Sequence, residues 1–406
     1  MSRSHTAAGR FLLIASLVLV AANMRPSLSS IGPVLPEAMR DTGLTPASVG
    51  LVTTLPVLLL GLFGLAAPGL ARRLGAERAV LVFLLVLAAG LGLRALGHAG
   101  PLILGCALGG AAIGVINVLV PGIIKREFPQ KAAGLMGLYT MALCAGAAAA
   151  AGATVPLERA FGGAWGLALA TWAGPAVAAA AVWVVQLRGP AVPPPAPSAA
   201  GLRALWSDPL AWQVTLFTGL QSSLAYSIFA WLAPMLRSRG LSPVQAGLVV
   251  SVCILLQAPA ALAAPAAVAR ARDQRLGAAI CVLCSIVGFA GCLYAPLWTI
   301  WLWAVVLAVG QGATFSLALA IIVLRAPDAA SAGRLSAMAQ GIGYSFASAG
   351  PLLIGLLRGW TGGWGAPAAV FFALGGLCVL AGLGAGRAAY VRTGAPAPDR
   401  PGPAAA

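Results

Sequence analysis

Apolar stretches of about twenty residues, separated by short segments rich in Gly, Pro and Arg, recur along the chain. A helix of that length crosses a hydrocarbon core about 30 Å thick at 1.5 Å per residue. The pattern predicts helices over about 11–36, 44–70, 77–97, 101–124, 133–156 and 164–187, and a second set over about 209–236, 243–269, 276–295, 297–324, 334–357 and 365–387. Twelve spans place both termini on one side of a membrane. Arg3 and Arg10 before Phe11 resemble the start of a signal peptide, but the apolar run continues to Leu35 without a small-residue cleavage site, so it reads as the first span.

Between the two sets lies a segment with Pro190, Pro193, Pro194, Pro195 and Pro197 and no apolar periodicity, which has the character of a linker. The expected organisation is an N-terminal bundle over 1–187, a linker over 188–208, a C-terminal bundle over 209–390 and a disordered tail over 391–406. The two sets repeat at an offset of 197 residues: Gly43-Leu44-Thr45-Pro46 and Gly50-Leu51-Val52 recur as Gly240-Leu241-Ser242-Pro243 and Gly247-Leu248-Val249. Arg73 and Arg78 likewise match Arg270 and Arg275. Parallel repeats of this kind are built into carriers that rock two bundles about a midplane site.

Composition agrees with a polytopic membrane protein, since 60% of the 406 residues are hydrophobic and 8% charged, with a mean hydropathy of +0.94. A net charge of +16 would point to nucleic acid in a soluble chain. Here, assigning alternate loops to opposite sides collects 18 Lys and Arg on one side and 6 on the other, the asymmetry of a positive-inside topology. The expectation is a multi-pass bacterial inner (plasma) membrane protein with cytoplasmic termini. Arg25 is left over as the one cation inside a span, while all nine acidic residues fall at loops or helix ends. The seven cysteines lie in apolar spans and read as packing residues, Cys281 and Cys284 included.

Several stretches carry a resemblance. The loop with Arg72, Arg73 and Arg78 resembles the loop signature of the major facilitator superfamily, although Arg72 stands where that signature usually has Asp. Asn23-x-Arg25-Pro26, Asn117 to Pro129, Gly137-Leu138-Tyr139, Trp212 to Pro234, and Arg334 to Tyr344 together resemble the cyanate and 2-nitroimidazole transporters of that superfamily. The resemblance implies an all-α membrane protein with 12 transmembrane helices in two pseudo-symmetric six-helix bundles, and a carrier for a small molecule.

Arg25 lies 14 residues past Phe11, on the order of 21 Å along a helix. A guanidinium there costs at least about 2.5–3.5 kcal/mol and should face a polar cavity. Pro26 frees the carbonyl of Ala22 and disfavours α geometry at Arg25, so a kink is expected there, either able to bend in the transport cycle or static. Candidate ligand contacts are Arg25, Asn23, Asn117 and Tyr139 in the first half, with Gln221, Tyr226, Gln257, Gln311, Gln340 and Tyr344 in the second. For each neutral residue the competing reading is an interhelical hydrogen bond. Asn23 and Arg25 are about 200° apart on an ideal helix and cannot both face one cavity unless the Pro26 kink rotates one of them. Pro26, Arg72, Arg73, Arg78 and Arg270 are the candidate conformational residues.

One Arg opposite amides and phenols suits a small, singly charged, planar or linear anion. No phosphate loop, intramembrane carboxylate pair or metal cluster is present in the sequence, and His5 and His98 are remote from the spans, so enzymatic or ATP-driven readings fail. The leading expectation is a secondary or facilitated carrier of a small organic or pseudohalide anion by alternating access, monomeric and without cofactor. The coupling partner would be a proton or a counter-transported anion. Competing readings are an exporter of a neutral drug-like compound such as a nitroimidazole, and a non-transporting membrane sensor.

Overall fold

In the computed structural model the described residues are 7–187, 205–269 and 273–392. They are helical, with no strand among them. The first span is three helices in series, α1 (Ala7–Met24), α2 (Pro26–Ser29) and α3 (Ile31–Thr42). Then come α4 (Pro46–Leu74), α5 (Ala76–Leu93), α6 (Ala99–Glu127), α7 (Ala132–Ala160), α8 (Trp165–Ala170) and α9 (Ala173–Trp183). The second half contains α10 (Pro209–Ser238), α11 (Pro243–Ala269), α12 (Arg275–Tyr294), α13 (Ile300–Leu324), α14 (Ala329–Ala347), α15 (Ala349–Thr361) and α16 (Gly365–Ala385).

The twelve expected spans are recognisable, with three divided internally. Pro175 and Pro351 cannot donate to the carbonyls of Thr171 and Ala347, and the sixth and eleventh spans break beside those residues. Among the described residues, ten helical segments are long and apolar enough to cross a membrane. α10 and the α14–α15 pair fall outside that set, and they hold Gln221, Tyr226, Gln340 and Tyr344. Most of the linker expected over 188–208 lies outside the described residues, as do Arg270 and most of the tail.

The sequence repeat has a local cause. Gly43 ends α3 at φ 69° and Gly240 follows α10 at φ 107°, left-handed conformations that favour Gly. Thr45 Oγ1 accepts from Ser48 N at 3.2 Å, and Ser242 Oγ accepts from Gln245 N at 3.3 Å. Pro46 and Pro243 then open the next helices. Each copy is therefore a helix stop joined to a helix start.

Packing follows the same twofold pattern. α4 lies along α6 and α11 along α13, through small residues that admit backbone. A Cβ added at Gly110 would lie 2.1 Å from Pro56 O, and one at Gly312 2.2 Å from Gln257 O. Between the halves, α7 packs on α11, and α4 packs on α14 and α15. Two buried clusters result, one drawn mainly from the first half and one from the second with α3 and part of α7.

Candidate functional site

The first span pauses at Arg25. This residue lies between α1 and α2 at φ −85°, ψ −21°, so it remains in the right-handed helical region rather than being pushed extended by Pro26. The pause is held by α7: a Cβ at Gly146 would lie 1.8 Å from Ala22 O, so only Gly lets α7 close on the carbonyl that Pro26 leaves free. Ser29 Oγ donates to Ala147 O at 2.9 Å.

Arg25 is half-buried, and its guanidinium carbon lies 5.8 Å from the Phe229 ring centroid and 5.6 Å from that of Phe315. Those are cation–π distances. No carboxylate meets the side chain among the described residues. Tyr139, Tyr226 and Tyr344 lie within its electrostatic reach. Tyr226 stands edge-on to Phe229 at 6.2 Å and to Tyr344 at 6.4 Å. Tyr344 Oη donates to Gln340 Oε1 at 3.5 Å, and Gln340 Nε2 donates to Ser336 Oγ at 2.7 Å. Tyr139 Oη donates to Asn117 Oδ1 at 3.2 Å and touches Met24 Sδ at 3.3 Å.

The structure thus gathers Arg25, Asn117, Tyr139, Tyr226, Gln340 and Tyr344 from both halves around one centre. Asn23 is buried and turns back to Leu19 O at 2.8 Å. Gln221 is buried on α10, donating to Ser222 Oγ at 2.6 Å and Thr218 O at 3.2 Å. Gln257 and Gln311 lie along the α11–α13 contact, with Gln311 one turn before Phe315. Phe229 and Phe315 are absent from the sequence candidates. Their signal was spacing, since Phe229 follows Tyr226 by three and Phe315 follows Gln311 by four.

A second cation corrects the expectation that Arg25 alone lies inside. Arg94, near the end of the span expected over 77–97 and counted from sequence among the six cations of the outer side, is 0% exposed. Its Nη2 donates at 3.0 Å to both Ser27 O and Ser27 Oγ, the buried Cys106 thiol lies beside the guanidinium, and Nε and Nη1 make no hydrogen bond among the described residues. Gly109 leaves the room, because a Cβ there would lie 2.3 Å from Ser27 Oγ. The long aliphatic stem lets the Arg94 head reach inward from the end of α5 to the segment that carries Arg25.

Of the candidate conformational residues, Arg72, Arg73 and Arg78 are exposed. The ordered charge of that loop is Glu77, which accepts from Arg126 of α6 at 2.5 Å and whose carbonyl accepts from Trp183 Nε1 at 2.9 Å. At the opposite end of the bundle a bidentate ion pair joins the halves. Arg237 of α10 donates to Glu37 of α3 at 2.6 and 2.8 Å, and to Pro33 O at 3.0 Å. Burial would raise the Glu37 carboxyl, but the hydrogen bonds and charge of Arg237 prevail and hold it below its ordinary value.

Comparison with known proteins adds an independent line. A family model described as Major Facilitator Superfamily matches residues 12–347. The chain is 37% identical over 393 residues to a 2-nitroimidazole transporter of Escherichia coli (strain K12), covering 96% of this chain and 99% of that protein. It is 34% identical over 349 residues to the cyanate transport protein CynX of the same organism, covering 86% and 90%. Among solved structures, a D-xylose-proton symporter superposes with a TM-score of 0.73 over 94% of this chain and 98% of its own, at 14% identity. That last likeness is one of fold.

Proposed function

As this chain belongs to the Major Facilitator Superfamily, we propose that it carries a small organic or pseudohalide anion by alternating access, with Arg25 as the anion anchor. The observation that supports this is Arg25 itself, an intramembrane guanidinium facing ring faces and hydroxyls where the two halves meet. An ionised Arg without a carboxylate is a fork available to a ligand, and cation–π contacts are weaker than charge-assisted hydrogen bonds. The relatives named for cyanate and 2-nitroimidazole make a small ligand the natural cargo.

Alternating access has structural parts in this chain. In this reading the Glu37–Arg237 pair and the α3–α10 contact close one mouth of the site, taken as the outer one from the positive-inside asymmetry of the loops. No Asp, Glu or His lies beside Arg25 among the described residues, so a coupling proton would travel on the substrate, or coupling would be by anion exchange.

The test is uptake of labelled anion into proteoliposomes. Arg25→Gln should reduce uptake to the protein-free background while leaving the melting temperature in place, and Arg25→Lys should retain part of it, because a point charge remains but the bidentate fork is lost. A second reading is supported by the aromatic walls of the site: export of a neutral nitroheterocycle. Under that reading Arg25→Gln transports normally.

A further inference from the structure

We propose that the cargo of the Arg25 site is a planar aromatic monoanion, a flat ring bearing one carboxylate or an equivalent acidic group, rather than a small hydrated ion. This deepens, and rests on, the anion reading of Arg25. The first support is the distribution of aromatic residues. Of five tyrosines in the chain, Tyr139, Tyr226 and Tyr344 lie within reach of Arg25, whereas Tyr294 and Tyr390 are 65% and 66% exposed. Phe229 and Phe315 present rings to the guanidinium from α10 and α13.

The second support is how little hydrogen-bonding capacity remains. Gln340 is engaged by Ser336 and Tyr344, Tyr139 by Asn117, and Arg94 is turned away onto Ser27. A small ion entering this centre would exchange its whole water shell for one fork, the Tyr226 hydroxyl and aromatic walls, and an under-satisfied buried charge is expensive. A ring with one anionic group places that group on Arg25 and covers the walls with edge-to-face and offset contacts. A small cavity between the first, second and seventh spans, lined by Leu28, Val52, Thr53, Pro56, Tyr226 and Phe229, lies nearby and would have to widen to take a ring. One cation at the centre sets the charge at minus one.

Three probes decide it on the purified full chain: benzoate, cyclohexanecarboxylate and cyanate, with binding followed by calorimetry or thermal shift. Benzoate and cyclohexanecarboxylate share a charge and nearly a volume but differ in planarity and π character. Benzoate should bind at least about fivefold more tightly than cyclohexanecarboxylate, as one or two aromatic contacts supply, and cyanate more weakly than either. Phe315→Leu should bring the ratio towards one by weakening benzoate alone. Equal affinity for the two carboxylates, tightest binding of cyanate, or no binding of any probe overturns the aromatic proposal. Failure of the underlying reading has a different signature: probes that bind Arg25→Gln as well as the native chain remove the anion anchor itself.

Discussion

At the scale of single residues, two guanidiniums divide the work of the first half. Arg25 offers its fork to the centre, while Arg94 is spent on Ser27, two residues further along the same span. A fully buried Arg with two nitrogens that make no hydrogen bond among the described residues is a poor contributor to stability, since desolvating it is offset by few contacts, those with Ser27 and the Cys106 thiol. Its hydrogen bonds tie the end of α5 to α2, the segment that follows Arg25. Arg94→Met, which keeps the length and deletes the charge, should therefore leave the melting temperature unchanged or raise it, while uptake in proteoliposomes falls severalfold. Arg25 was legible from hydropathy and position alone. Arg94 was not, because proximity to a predicted span end says nothing about whether a long side chain reaches outward to water or inward to a neighbouring helix.

At the scale of elements, glycines set how closely the helices approach. Gly146 admits the Ala22 carbonyl and Gly312 admits that of Gln257, with no room for a methyl group at either. Gly146→Ala or Gly312→Ala should cost about 1–3 kcal/mol by overpacking, read as a lower melting temperature. Gly92→Ala, at a position with nothing within 4 Å of an added Cβ, should be neutral or slightly stabilising. Most spans were readable from apolar length and punctuation: 44–70 was expected where α4 runs Pro46–Leu74, and 133–156 where α7 runs Ala132–Ala160. The internal breaks were harder, because Pro56, Pro121 and Pro234 sit inside continuous helices while Pro175 and Pro351 accompany breaks. The aromatic side chains flanking Arg25 were missed for a related reason, since a Phe in an apolar span looks the same in sequence whether it faces lipid or a cation.

At the scale of the whole molecule, the halves are tied by one ion pair among the described residues, at one end, and by helix packing along their length. The depressed Glu37 carboxyl means that this tie is fully present above the ordinary carboxylate value of 4.5 and is lost as pH falls through the lowered value. Neutral or mildly acidic solution should thus leave this end closed. A distance measured between spin labels at exposed Arg40 and Gln245 should stay short down to pH 4.5 and lengthen in Glu37→Gln at any pH. Exchanging the charges, Glu37→Arg with Arg237→Glu, should restore uptake that either change alone reduces. The shortfall in apolarity of α10 and the α14–α15 pair also has a consequence for how the chain is made. These are the segments that face the shared centre, and their polar residues make each a poor candidate for partitioning into lipid as it leaves the ribosome. α10 emerges before α14 and must be received by helices already inserted, and α3 of the completed first half packs against it. Biogenesis of the second half is then templated by the first, and a truncated chain beginning at Pro209 should integrate its leading helix inefficiently.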